Sequence, residues 1–237
     1  MGSIAPTSAQ RAAVRKRHAS VTWNQFGTPA TLSKRGKYLA KGVRGKNATV
    51  AAARWLGRNR VLFGLNVSDK LVLTGDTRMP FSRGHAVNFR QVVDGVEAAD
   101  GGLITIALTG SAKRGWNIAY VSSSITRNTS LLGRAKLSAA QAWVRAANTV
   151  GGSYSLVDVR DRKAGRGWVN LAVSGNVDIQ RARPVVFPTV RSGVIPAFET
   201  RRGCPGPAAG SSHHRRSRMS SARQRRPPGR AGSMPPA

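Results

Sequence analysis

Three segments near the middle of the chain alternate between apolar and polar residues as half-buried strands do. They are His85 to Val93, Leu103 to Leu108 and Trp116 to Val121. Turn signals separate them, namely Asp94-Gly95, Asp100-Gly101-Gly102 and the loop from Gly110 to Gly115. The pattern predicts a meander of antiparallel strands with a short continuation at Val96 to Ala98. One face of the second strand is expected to carry Ile104, Ile106 and Leu108. One face of the third strand is expected to carry Trp116, Ile118 and Tyr120.

Helical spacing and capping residues predict three helices. Asn47 has the chemistry of an N-cap for a helix that runs towards Arg60. Ser138 and Gln141 form a capping box for a helix that ends at Val150. The apolar face of that helix is predicted to comprise Ala142, Trp143, Ala146, Ala147 and Val150. Residues 8 to 18 predict a short basic helix with Ser8 as its cap.

Shorter apolar runs predict the remaining strands. These are Val21 to Phe26, Leu71 to Thr74, Ser155 to Val159, Trp168 to Val173, Val185 to Phe187 and Val194 to Phe198. Lys34 to Lys46 is expected to be a connector rich in glycine and lysine. Leu62-Phe63-Gly64-Leu65 is expected to place its apolar groups beneath the sheet, and four tryptophans are expected to anchor the core: Trp55, Trp116, Trp143 and Trp168.

These elements predict the α+β fold class, with two small units that each pack a helix on an antiparallel sheet. The units are expected over residues 20–125 and 135–200, with the polar stretch from Ser122 to Arg134 as their boundary. Residues 1–19 form a basic N-terminal segment. Residues 201–237 are expected to be a disordered basic tail, because they lack periodicity and are dominated by Arg, Pro, Gly, Ser and Ala.

The abrupt change of composition at Arg201 has two explanations. A GC-rich reading frame entered by a frameshift gives this mixture of residues. The alternative is a natural basic tail that binds polyanions.

A family resemblance is carried by Asn88-Phe89-Arg90-Gln91-Val92-Val93-Asp94-Gly95-Val96 followed by Gly101-Gly102. This run resembles the fungalysin/thermolysin propeptide motif, in which R-x-x-Q-x-x-x-G-v-p-V-x-G-G leads into the next strand. The residues that match are Arg90, Gln91, Gly95, Gly101 and Gly102. Two features depart from the pattern: Arg90 and Gln91 are adjacent, and Ala98-Ala99-Asp100 replaces the more usual aromatic or Phe-Gly pair.

Other segments resemble the pro-regions of actinobacterial secreted metallopeptidases of the fungalysin type. They are Trp23 to Pro29, Arg54 to Leu56, Leu62 to Leu65 and Pro196 to Thr200. The helix and strands after residue 135 are similar to a PepSY-type unit, so that the resemblance covers residues 20 to 200. It implies an extracellular propeptide that assists folding of a zinc metallopeptidase catalytic domain and inhibits it. That domain, the expected partner, would follow residue 200 in the family.

The chain itself predicts no enzyme and no cofactor. Zinc peptidases of this kind need H-E-x-x-H, and none of the four histidines, His18, His85, His213 and His214, has that context. No G-x-S-x-G elbow is present, and Cys204 has no recognisable histidine partner. Asp158 and Asp161 lie among arginines and are expected in a solvated charged loop. Gly42 to Lys46 suggests a phosphate loop, but Asn47 stands where Ser or Thr would bind magnesium, so turns are expected instead.

The net charge of +30 gives an alternative function. Thirteen basic residues precede Asp69, the first acid in the chain, and residues 201–237 hold nine arginines and no acid. A surface this basic attracts polyanions, so the alternative is a module that binds nucleic acid non-specifically or a cell-wall polymer. A basic pro-region would equally complement an acidic partner.

Two expectations concern location. No window approaches the ~20 apolar residues that span a bilayer, so no membrane partner is expected. The first residues also lack an apolar signal region, and the chain as it stands is expected in the cytoplasm, in contrast to the extracellular location that the resemblance implies.

Overall fold

The computed structural model describes residues 2–201 apart from Phe81, Asp100, Arg166 and Arg191. Three predictions from the sequence lie outside these residues: the tail after Arg201, Cys204 and the pair His213-His214. Within them, two antiparallel sheets and three α-helices confirm the α+β fold class.

The helices and strands are as follows in chain order. They are α1 (Ser8–Lys16), β1 (Ser20–Trp23), β2 (Pro29–Ser33), β3 (Ala40–Val43), α2 (Ala48–Arg58), β4 (Lys70–Arg78), β5 (Gly84–Val93), β6 (Val96–Glu97), β7 (Leu103–Ser111), β8 (Gly115–Ser123), α3 (Ala139–Thr149), β9 (Val159–Gly165), β10 (Trp168–Val173), β11 (Gln180–Thr189) and β12 (Gly193–Arg201). Short 3-10 helices lie at Arg60–Phe63 and Leu156–Asp158.

The first sheet has eight strands and contains the predicted meander. Its order is β1-β2-β8-β7-β5-β4, with β3 paired to β8 and β6 paired to β5. One face packs against α2 and the first 3-10 helix over a core that includes Leu62, Phe63, Ile104 and Ile106, all without exposed surface. The prediction that residues 62 to 65 lie beneath the sheet is therefore confirmed.

A bulge in β8 corrects the predicted face of the third strand of the meander. Ala107 pairs with Tyr120 and Leu108 pairs with Ile118, so that Ala119 is an extra residue. The extra residue reverses the alternation: Ile118 and Val121 are buried, whereas Tyr120 is 38% exposed on the outer face.

The N-terminal predictions need two corrections. Thr7, not Ser8, caps α1, because its hydroxyl accepts the Gln10 amide while the Gln10 side chain accepts the Thr7 amide. The predicted strand from Val21 to Phe26 ends at Trp23, because the Asn24 carboxamide accepts the amides of Phe26 and Thr28 and holds a turn.

The predicted connector from Lys34 to Lys46 contains β3. Backbone pairing creates this strand, since Ala40 lies opposite Ile118 and Val43 opposite Trp116, and its sequence has no alternation. Asn47 caps α2 as predicted, by accepting the Val50 amide at 2.9 Å.

The second sheet has the order β12-β11-β10-β9 and carries α3 on one face. The predicted capping box of Ser138 and Gln141 is confirmed. Val150 is 72% exposed, contrary to prediction, because α3 ends at Thr149. The strand predicted from Ser155 to Val159 is also wrong, because a 3-10 helix occupies residues 156 to 158 and β9 begins at Val159.

The two sheets touch along a small apolar cluster. Val93 of β5 and Ala98, the residue after β6, pack with Val186 and Val194 of the second sheet. The stretch predicted as a polar link is partly core: Ile125 and Thr126 have no exposed surface, and Leu131 pairs with Val194. The predicted division into two units stays a prediction.

Candidate functional site

Gln91, a residue of the resemblance motif, ties the chain after β8 to β5. Its side chain has no exposed surface. Its Nε2 donates to the Thr126 carbonyl at 2.7 Å, and its Oε1 accepts the Thr126 amide at 3.1 Å. The carboxamide thus satisfies two buried backbone groups, as a neighbouring strand would.

The other motif residues build the corner between β5, β6 and β7. Arg90 donates from Nη1 to the Ala98 carbonyl at 2.8 Å. Gly95 has φ +79° in the tight turn between β5 and β6. Gly101 has φ +112°, and a Cβ on Gly102 would lie 2.2 Å from the Cβ of Ala98. The structure therefore brings the five predicted residues together at one corner, where they support the backbone.

An ion-pair cluster joins this corner to the second sheet. Arg183 lies 2.9 Å from the Glu97 carboxylate and 2.6 Å from the Glu199 carboxylate, and Arg201 lies 2.8 Å from Glu199. Burial acts to raise the pKa of Glu199, but hydrogen bonds and charge from Arg183 and Arg201 outweigh it, so the pKa lies below the ordinary value.

Trp168 is not the core anchor that the sequence predicts. Its ring is half-buried, and the guanidinium groups of Arg183 and Arg201 lie 4.8 Å and 4.9 Å from the ring centroid. Trp55, Trp116 and Trp143 are buried as predicted.

The face of the second sheet opposite α3 is rich in arginine. Asn170 lies opposite both Arg162 and Arg181, and Arg181 lies opposite Arg201, so their side chains share one face. We call this surface the arginine face; it comprises Arg160, Arg162, Arg181, Arg183 and Arg201. No sequence pattern indicated it, because its members come from three strands whose register must be known.

The outer face of the first sheet carries two rows of uncharged residues, which we call the hydroxyl face. The first row is Thr22, Thr31, Ser122, Thr105, Asn88 and Gly75, and the second is Ser20, Ser33, Tyr120, Ala107, Ala86 and Thr77. Neighbours in the first row bond to each other, with 2.6 Å between the Thr22 and Thr31 hydroxyls and 2.7 Å from Thr105 to Asn88. Helices α1 and α2 contribute to the core on the opposite face, and α3 packs on the second sheet.

The described residues contain no group of three or more His, Cys, Asp or Glu side chains that could hold a metal. His85 and Asp76 form a pair 2.8 Å apart, and Thr49 donates to the same carboxylate. The predicted charged loop around Asp158 and Asp161 is wrong, since Asp161 lies in β9. The hydrogen bonds that Ser155 donates from its amide and hydroxyl lower the pKa of Asp158.

Comparison with known proteins yields no match, either to a family model or to a curated protein. The resemblance therefore rests on the motifs named above. Among the described residues, no helix is both long and apolar enough to cross a bilayer.

Proposed function

We propose that the chain is a propeptide-type escort that assists the folding of a fungalysin-type zinc metallopeptidase domain and inhibits it, without catalytic activity of its own. The motif resemblance suggests this role, and the α+β fold class agrees with it. The hydroxyl face is the observation that carries the proposal, because its two adjacent rows of six residues have no charge in a chain of net charge +30. The role implies an extracellular site of action.

The hydroxyl face suits a protein interface because little free energy of hydration is lost when a partner covers it. The cores of protein interfaces are depleted in charged residues, and hydroxyls lose less hydration free energy on burial than charges do. A preformed sheet also pays little entropy to bind. An escort that binds only the folded partner stabilises it by mass action, and the same contact excludes substrate.

Inhibition in trans tests the proposal. We expect the full chain to inhibit a fungalysin-type catalytic domain in a saturable manner, and to hydrolyse no casein alone. Ala107→Lys places a charge in the second row of the hydroxyl face and is expected to weaken inhibition at least about tenfold. Ala53→Lys, the same change at an exposed position of α2, is the control and should inhibit like the unmodified chain.

Two results would contradict the proposal. One is the absence of inhibition at micromolar concentrations. The other is equal inhibition by the Ala107→Lys and Ala53→Lys variants, since the hydroxyl face would then make no contact with the peptidase.

The arginine face favours a second function, non-specific binding of nucleic acid or a cell-wall polymer. Arg160, Arg162 and Arg181 form no ion pair among the described residues. Trp168 belongs to the same sheet, and its ring lies near Arg183 and Arg201. Binding of single-stranded DNA at two salt concentrations tests it. We expect the affinity to fall steeply as the salt concentration rises. In the Arg162→Gln/Arg181→Gln variant, the slope of log affinity against log salt concentration should be smaller by about one to two.

A further inference from the structure

A cleft separates β3 from the C-terminal ends of α1 and α2. Its volume is about 570 Å³, which falls within the size range of ligand sites. Five cationic residues line it: Arg17, Lys41, Arg44, Arg54 and Arg58. Among the described residues, no acid lines it, and the segment that supplies these residues contains no acid before Asp69. We call it the basic cleft.

Two of the four guanidinium groups in the basic cleft are held in place by neutral acceptors. Arg17 donates to the Ala13 carbonyl at 2.8 Å and to the Asn59 carboxamide oxygen. Asn59 is itself buried and donates to the Trp55 carbonyl at 2.6 Å. Arg54 donates to the Arg44 carbonyl at 3.0 Å. These bonds restrict the side chains but leave their positive charge uncompensated.

The charge of the basic cleft is also unbalanced by its surroundings. The described ion pairs all use other cations, His85, Arg90, Arg183 and Arg201. Like charges that line one concavity repel each other, and low-dielectric walls strengthen the potential inside it. A bound anion relieves this repulsion, whereas cations on a merely solvated surface would be spread apart.

We propose that the basic cleft binds a compact, multiply charged anion of the oligophosphate class. Guanidinium groups match phosphate oxygens with paired donors, and the Lys41 ammonium adds a point charge. A ligand with several closely spaced phosphoryl groups can engage more of the five cations than a single phosphate can. The site uses side chains of β3 and α2; the glycine-rich run from Gly42 is not a phosphate loop, because Asn47 caps α2.

Calorimetric titration of the full chain with tripolyphosphate tests the proposal, with orthophosphate as the weaker probe. The Lys41→Gln/Arg44→Gln/Arg58→Gln variant removes three exposed cations of the basic cleft. The Lys34→Gln/Arg35→Gln/Lys37→Gln variant removes three cations from the neighbouring loop and is the charge-matched control. We expect the first variant to lose at least about tenfold in affinity and the control to lose less than about threefold. The tail is present in every variant, so its contribution to the comparison cancels.

A single pair, Arg58→Glu against Arg35→Glu, repeats the comparison if the triple variant of the cleft fails to fold. Four results would overturn the proposal. They are no tripolyphosphate binding by the unmodified chain, equal losses in the matched variants, orthophosphate affinity equal to that of tripolyphosphate, and selective binding of oligothymidylate in place of tripolyphosphate. The site is independent of the escort proposal, since inhibition of a peptidase depends on the hydroxyl face.

Discussion

Gln91 is the residue of the motif whose side chain makes two hydrogen bonds to buried backbone groups. Its carboxamide meets both backbone groups of Thr126, and both residues are without exposed surface. Gln91→Leu keeps a similar shape and leaves the Thr126 amide and carbonyl unpaired. We expect the free energy of unfolding to fall by about 2–4 kcal/mol, measured by urea denaturation.

The control for this prediction is Gln25→Leu. Gln25 is exposed in the turn between β1 and β2, so the change is expected to cost less than about 0.5 kcal/mol. Equal effects at both positions would mean that water or a rearranged backbone pairs with the Thr126 amide and carbonyl. Gln91 would then not be needed to hold the chain after β8 against β5.

Gly102 and Gly95 need to be glycine for different reasons. At Gly102 the obstacle is steric, because a Cβ would lie 2.2 Å from the Cβ of Ala98, and Gly102→Ala is expected to cost about 1–3 kcal/mol. At Gly95 the space is open and φ is +79°, so that Gly95→Ala is expected to cost about 1 kcal/mol of backbone strain. Urea denaturation measures both costs. A Gly102→Ala variant as stable as the unmodified chain would show that the corner relaxes.

Residue patterns predict those features that depend on neighbours in the sequence. The caps Asn47 and Ser138 were predictable because each acts within its own first turn. The role of Gln91 was not, because its partner lies 35 residues away. The motif therefore located the corner without revealing that its residues support the backbone.

At the scale of elements, alternation of apolar and polar residues predicted the strands that have one buried and one exposed face. It missed strands that are held only by backbone hydrogen bonds to a neighbour. β10 begins and ends where the sequence predicts, since Leu171 and Val173 are buried and their neighbours are less so. β3 was missed because β8 supplies its hydrogen bonds while its side chains show no pattern. The hydroxyl face could not be predicted either, because its rows depend on bulges in β4 and β8 that the alternation of residues does not reveal.

The cluster that joins β6, β11 and β12 gives stability a dependence on pH. The folded-state pKa of Glu199 lies below its ordinary value of 4.5, so its ion pairs stabilise the fold above that pH and are lost as pH falls through the folded pKa. We expect Glu199→Gln to lower the free energy of unfolding by about 1–3 kcal/mol at neutral pH. The difference between variant and unmodified chain should shrink below about pH 4.5 in urea titrations.

Asp161→Asn is the control for Glu199→Gln, since Asp161 is exposed and forms no ion pair among the described residues. Its effect should be small across the same range of pH. A Glu199→Gln difference that persists unchanged in acid would assign the effect to packing and exclude the carboxylate charge as its cause.

At the scale of the whole molecule, the described surface separates three kinds of chemistry. The hydroxyl face has no charge in its two rows, and the arginine face has five arginines, two of which lie 4.8 Å and 4.9 Å from the Trp168 ring centroid. The basic cleft has five more cations and no acid among the described residues. The sequence revealed the net charge of +30 and the absence of acids before Asp69, but not how the charges group on the surface. Because the three surfaces share no residue, the variants that test one surface leave the side chains of the other two unchanged.

The contact between the two sheets decides whether the described residues unfold together. Val194 has no exposed surface and packs with Val93, Ala98 and Val186, and its amide donates to the Ser130 carbonyl at 2.9 Å. We expect one calorimetric transition for the unmodified chain. Val194→Asp buries an unpaired charge in this cluster at a cost of about several kcal/mol, so the transition should split into two.

Ile195→Asp is the matched control for Val194→Asp, because Ile195 is the next residue of β12, 39% exposed, and points to the opposite face. Its single transition should be preserved, since each sheet keeps its own core around Ile104 or Leu171. A single, lower transition for Val194→Asp would mean that the two sheets form one cooperative unit. The division at residues 125 to 135 that the sequence predicts would then be wrong, because neither sheet would be stable once the other unfolds.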